Sequence, residues 1–334
     1  MICGAKFPAL QTKIKKMYAG MLNEYDYDEL LSQANIKDIT SYLKIKFPML
    51  KNLNENMHRR AIEEELNNIY IYAIQKIERY LNKNEKEYLK KHLEKYEIIY
   101  IKKVLREIVT EDTIPVEYEN PEWNSFIKSN FKEINRLNEK ISYHNLLEIM
   151  STTRFRKIFE KYLKYENAKQ NLDEIEESID RFYFEDIYNY SKENNILKSL
   201  YGYEIDFLNI FWIYRMKKYF NYSENKILNI LIPVNYKLNK TEIKKLVLAE
   251  NIEDFKKIVN IKYNFLKNED SIMHDIDKFL YKENYKIFKN QEFNIAIVIS
   301  FMNLLEYQIR NIINIIEGIR YHQDREKIQE KIIN

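Results

Sequence analysis

The sequence runs to 334 residues and carries 54 Lys plus Arg against 51 Asp plus Glu, with one cysteine, four glycines and five prolines. Glycine at about a sixth of ordinary usage excludes most phosphate-cradling chemistry, because such loops need backbone that a Cβ would block. Gly4, Gly20, Gly202 and Gly318 stand too far apart for any two to share a GxGxxG or GxxxxGK motif, so neither a Rossmann fingerprint nor a P-loop is present. The formal net charge is only +3, and acids interrupt nearly every basic run, which argues against nucleic acid as a partner. At 45% hydrophobic residues the chain can bury a sizeable core, and its length suits two or three domains.

In chain order, Cys3 comes first; it has no partner for an intramolecular disulfide, which fits a reducing compartment. The opening MICGAKFPALQTKIKK places its basic residues after a short mixed stretch, whereas a signal peptide has its apolar region after the charges, so a cytoplasmic location is expected. Asn35 precedes a periodic stretch and is suited to cap a helix. Ile62, Leu66, Ile69, Tyr70, Ala73, Ile74, Ile77 and Leu81 recur at three- and four-residue steps, which predicts an amphipathic helix with Glu63, Glu64, Lys76 and Arg79 on its wet face. The cluster DTIPVEYENP (112–121) predicts a boundary, since Pro115 and Pro121 bias their neighbours away from helix. From Ile205 to Phe220 apolar residues surround the helix, as they do from Ile295 to Ile316, and such helices belong inside a bundle. Between them a second break runs through 221–239 around Pro233, followed by Thr241 and Asn251 as further candidate caps. The most apolar segment, Phe293 to Leu305, is too short to span a bilayer and is interrupted by Asn294, Ser300 and Asn303. Strand signals are nearly absent, and the chain reads as all-α.

Repeats organise the chain. LLSQANIKDITSYLKIKF (30–47) aligns without gaps with LVLAENIEDFKKIVNIKY (246–263) at an offset of 216 residues, and Arg154-Phe155 stand midway between Lys46-Phe47 and Lys262-Tyr263. Leu50, Ile158 and Leu266 follow in the three copies. Further on, Glu97 precedes Arg106 by nine residues as Asp206 precedes Arg215, while the third copy keeps an acid, Glu306, but has Ile315 in place of the arginine. The expected organisation is three divergent helical modules, 1–115, 116–225 and 226–334.

Each basic-aromatic pair is either a binding device or a helix end with a snorkelling cation and a buried ring. The acids and arginines on apolar helices must pair or face a polar cavity. Asp206 and Arg215 lie about 13 Å apart along a helix and cannot pair with each other. Internal pairing and partner binding are both open for them. His58, His92, His144, His274 and His322 are scattered singly, without HExxH or a cysteine cluster, so no metal or cofactor is expected. The clusters Glu63-Glu64-Glu65 and Glu174-Ile175-Glu176-Glu177 read as solvated helix faces, and no residue is singled out as catalytic.

At these residues the chain resembles a known family, the central-stalk subunit of rotary V-type (A-type) ATPases called C in prokaryotes and d in eukaryotes. EIDFLNIFWIYRMKKYFNYSENKILNILIPVNYKLNK (204–240) is similar to the family's acidic-x-x-Asn helix with its Arg and following Pro connector, placing Asp206, Asn209, Arg215 and Pro233 at matching positions. KYEIIYIKKVLREI (95–108), LAENIEDFKKIV (248–259) and the closing stretch with Glu306, Ile309 and Gly318 support it, with Tyr100 standing where the second copy has Asn209. The resemblance implies three similar helical domains forming a pseudo-threefold funnel without catalytic activity. It implies a socket between the central-shaft subunits and the membrane proteolipid ring, on the cytoplasmic face of the membrane, coupling ATP turnover to proton or sodium transport. Glu97, Arg106, Asp206, Asn209, Arg215 and Glu306 are the candidate partner-binding residues. A helical scaffold or interaction protein outside a rotary ATPase is the other class, although scaffolds repeat every 33 to 47 residues rather than about 108.

Overall fold

The computed structural model describes residues 6–110, 121–137, 141–220, 222–266, 272–290 and 294–334, and the regular structure among them is helical. The first helices are α1 (Lys6–Ala19), α2 (Glu24–Ser32), α3 (Ile36–Lys46), α4 (Arg59–Ile77), α5 (Lys83–Thr110) and α6 (Pro121–Asn130). The middle of the chain forms α7 (Tyr143–Ser151), α8 (Arg156–Phe159), α9 (Tyr165–Gln170), α10 (Leu172–Tyr190) and α11 (Asn195–Arg215). After it come α12 (Glu224–Ile230), α13 (Lys240–Leu248), α14 (Ile252–Lys262), α15 (Ile272–Lys289), α16 (Ile295–Arg320) and α17 (Arg325–Gln329). Cys3 and most of 112–121 lie outside the described residues; of that segment only Pro121 is described, at the start of α6, where a missing N–H costs nothing.

Two compact units divide the chain, and two of the four dividing points fall within α5 and α15. One comprises the described parts of Met1–Lys90, Ile114–Asn130 and Tyr281–Asn334. Here α16 packs on α4, with α1, α3 and α17 also against it. Its apolar circumference is buried from Ile295 to Leu305 and again at Ile312, Ile315 and Ile316, as periodicity predicts. Gly318 admits α17, since a Cβ there would stand 2.5 Å from Ile328 Cγ1.

The other unit comprises the described parts of Lys91–Thr113 and Phe131–Leu280. Here α10 lies on α11, and α12, α13 and α14 continue the same packing. Phe207, Ile210, Ile213, Leu238, Leu246, Phe255 and Val259 share one core, so the Pro233 segment interrupts helix without interrupting packing. At Gly202 a Cβ would overlap the Tyr236 ring, which is how the connector lies flat on α11.

The sequence repeat is visible in matching local bonds within each unit. Asn35 Oδ1 accepts the Asp38 amide at 3.0 Å to cap α3, and Asn251 accepts the Asp254 amide at 2.9 Å to cap α14. Upstream in the same register, Asn23 and Asp26 form a capping box at the start of α2, and Asn239 and Glu242 form one at the start of α13. Lys46 then reaches Asp26 at 2.8 Å, and Lys262 reaches Glu242 at 2.9 Å. Thr241 is corrected by this geometry: it is the second residue of α13, and Asn239 is the cap. The rings of Phe47, Phe155 and Tyr263 are buried and the cations beside them reach acids of their own unit, so the pairs are anchored helix ends.

The acidic clusters depart from a simple wet face. Glu63 and Glu64 do pair with Arg59 and Arg60 one turn away. Glu65 instead is buried and accepts the Asn52 amide at 3.0 Å, and Glu176 is buried against Arg106. A run of charge conceals such residues because every third or fourth position turns inward. Half-buried Glu177, on the same face of α10 as Asp173 and Asp180, has Glu174 beside it and Lys226 of α12 opposing. Burial, reinforced by Asp173, pushes its carboxyl up to about 7. A folded-state value above the ordinary one means that this group's contribution is fully present at low pH and is lost as pH rises through about 7. Wild type should therefore lose about 1 kcal/mol, after discounting for solvent screening, between about pH 5 and pH 8 that Glu177→Gln does not lose. Thermal unfolding of both proteins across that range checks it; parallel curves would contradict the assignment.

Candidate functional site: the clasped long helices

Three long helices, α5, α11 and α16, carry most of the polar side chains singled out in the sequence. On α11, Asp206 is fully buried and Oδ2 accepts the backbone amides of Lys237 at 2.8 Å and Leu238 at 3.0 Å together with the Tyr263 hydroxyl. Burial raises the Asp206 carboxyl above its ordinary range, with these donors pulling it back. One turn on, Asn209 makes a two-point clasp: Nδ2 donates to the Ile232 carbonyl at 3.0 Å and Oδ1 accepts the Ile232 amide at 2.9 Å. The Pro-containing connector cannot satisfy its own backbone as a helix would, and these two side chains do so.

The same device recurs on α16. Asn311 Nδ2 donates to the Ile333 carbonyl at 2.7 Å, and its Oδ1 accepts the Ile333 amide at 2.9 Å. Gln308 Oε1 accepts the Leu22 amide at 2.6 Å, and Leu22 is the repeat counterpart of Leu238. Gln308, rather than Glu306, therefore does in the third copy what Asp206 does in the second. Glu306 is half-buried on α16 two positions earlier. The signal that could have found Gln308 is its three-residue spacing to Asn311, which matches Asp206 to Asn209.

On α5, Tyr100 stands where an asparagine would and its hydroxyl donates to the Leu137 carbonyl at 3.3 Å. Glu97 is buried and ion-paired with Arg154, whose other Nη bonds Glu94 at 2.6 Å. Arg106 forms a two-pronged pair with Glu176 of α10. Glu97 and Arg106 are thus each occupied by a different element, as the helix spacing requires. Buried His92, bonded to the Tyr201 hydroxyl at 3.2 Å, is driven well below its ordinary range by burial and is neutral. Arg215 differs from these: it is exposed at the last position of α11, with its guanidinium 5.5 Å from the Phe211 ring centre. Among the described residues no three His, Cys, Asp or Glu side chains gather as a metal set, and no helix is long and apolar enough to cross a membrane.

Side chains that grip backbone and one another define an all-helical protein built on clasped long helices. The family model described as ATP synthase (C/AC39) subunit matches residues 10–331, and the chain belongs to that family, the C/d family of V/A-type rotary ATPase components. No curated protein matches the chain.

Proposed function

We propose that the chain is a non-catalytic central-stalk subunit of a rotary V/A-type ATPase, a socket through which the turning shaft drives the membrane proteolipid ring and moves protons or sodium ions. The observation that carries this reading is the family match over nearly the whole length. The clasps support it mechanically, because a coupling element has to transmit torque without its connectors peeling from its helices. In this reading the chain has three modules, 1–115, 116–225 and 226–334, and rests peripherally on the cytoplasmic face of the membrane. Glu97, Arg106, Asp206 and Asn209 brace the modules from within, and Arg215, exposed at the end of its helix, meets a rotor neighbour, with Glu306 contributing from α16.

Affinity-tagged chain, purified from its own cells, is expected to bring shaft subunits and proteolipid ring with it. Arg215→Glu should leave assembly and ATP hydrolysis in place and lower the ions moved per ATP by about threefold or more, the loss of one charge-assisted contact. Normal coupling in an assembled Arg215→Glu complex would remove Arg215 from the proposed contact. Failure of shaft and ring to co-purify would remove the socket reading itself.

A further inference from the structure

At the end of α11 the helix does not fray but widens into a π-helical turn, Met216–Phe220. Such turns are uncommon and occur often at functional sites. Beside it opens a cleft of about 460 Å³, lined among others by Tyr214, Lys217, Lys218, Tyr222, Glu250 and Phe255. The volume lies in the range of ligand-sized sites, about 300–1,000 Å³.

Two consecutive lysines of this turn, Lys217 and Lys218, line the cleft. Lys218 Nζ bonds the Tyr214 hydroxyl at 2.7 Å and lies 5.2 Å from that ring's centre. Lys217 Nζ donates to the Val247 carbonyl, a neutral acceptor that leaves its positive charge in place. Against these two cations the lining carries one carboxylate, Glu250, so the cleft is positive on balance. The opposite chemistry adjoins it. Tyr219, Phe220 and Leu248 are exposed at 63%, 50% and 54%, the Tyr219 ring lies 6.5 Å from Tyr214, and the Phe220 ring lies 5.6 Å from Tyr222.

A small polyanion would use the lysines, meet Glu250 and leave the exposed rings uncovered. A protein segment can satisfy both halves, since exposed aromatic rings are enriched in protein interfaces and complementary charge beside them fixes which partner docks. We propose that this cleft docks an acidic segment of a protein partner, with a carboxylate side chain on Lys217 and Lys218 and an adjacent aromatic or aliphatic side chain against Tyr222, Phe255 and the exposed Tyr219 and Phe220. The inference concerns the chemistry of the cleft and holds whether or not the chain sits between a shaft and a ring.

The test uses the full chain and a capped peptide, Phe-Asp-Leu-Glu-Phe with fluorinated phenylalanines, followed by fluorine NMR. Its amide counterpart, Phe-Asn-Leu-Gln-Phe, is expected to bind about tenfold more weakly, and Lys218→Gln to weaken the acidic peptide by about threefold to tenfold. Lys217→Gln should do the same; because that change also removes the bond to Val247, Lys218→Gln carries the argument if the Lys217 variant does not fold. Lys244→Gln, an exposed lysine on α13, should bind as wild type does. Equal affinity for both peptides, wild-type binding by Lys218→Gln, or no binding of the acidic peptide would each overturn the proposal. Displacement of the peptide by inorganic phosphate as readily as by unlabelled peptide would overturn it in favour of a small-anion site.

Discussion

Arg154→Ala is expected to cost about 3–5 kcal/mol of folding stability, because it removes the guanidinium that bridges two carboxylates held out of water. Glu94 and Glu97 are 6% and 3% exposed, and Arg154 reaches one with each terminal nitrogen. Without the arginine the two carboxylates lose the charge held between them, Lys91 staying on Glu94 at 3.2 Å, in a medium that screens their repulsion poorly. The proof that the loss is electrostatic lies in compensation. Arg154→Met combined with Glu94→Gln and Glu97→Gln should recover about half of the lost stability or more, since replacing a buried ionic group as a whole is far cheaper than breaking it. Urea unfolding of the single and triple variants decides the matter: a triple variant as unstable as Arg154→Ala would mean that packing of the arginine stem, not charge, was the contribution.

Asp206→Ala should be comparably damaging, at about 3–5 kcal/mol, for a different reason. The alanine leaves the Lys237 and Leu238 amides and the Tyr263 hydroxyl without their shared acceptor in a fully buried site. Asp206→Asn keeps an oxygen in place and should cost about 1–2 kcal/mol. The third copy already uses an amide, Gln308, for the equivalent bond to Leu22. Hydrogen exchange gives the sharper reading: in Asp206→Ala the amides of 237 and 238 should lose protection, whereas a uniform loss across the unit would mean that the clasp does not act locally.

Both residues show where the sequence speaks clearly and where it does not. All-α architecture follows from helical periodicity, scarce Gly and Pro, and missing strand signals, and α4, α11 and α16 lie where apolar spacing puts them. Asn35 and Asn251 are legible as caps because one register carries both. The capping boxes at Asn23 and Asn239 lie in that register too, but just upstream of the stretch in which identical residues draw the eye. Arg154 is legible as one member of a repeated basic-aromatic pair, but its targets are not: Lys46 and Lys262 meet the acid of a capping box, whereas Arg154 meets α5. Gln308 is hidden by chemistry. A carboxylate and an amide accept the same backbone hydrogen bond, so matching on charge alone leads to Glu306 two residues away. Glu65 and Glu176 are hidden by their neighbours, because composition reports a run of acids and only geometry says which member turns inward.

The near absence of glycine acquires a second meaning here. Two of the four, Gly202 and Gly318, sit in the long helices α11 and α16 where Tyr236 and Ile328 press against the backbone. Glycine is thus kept where close approach demands it, in helices otherwise free of residues that bend them.

The most direct measurement is of the whole machine. The rotary ATPase should be rebuilt in vesicles with and without this chain, and ATP hydrolysis and ion uptake recorded together. If the chain is the socket between shaft and ring, its omission leaves hydrolysis running in the soluble sector and abolishes ion uptake, and adding the purified chain back restores uptake. Undiminished ion uptake per ATP in its absence would contradict the coupling role.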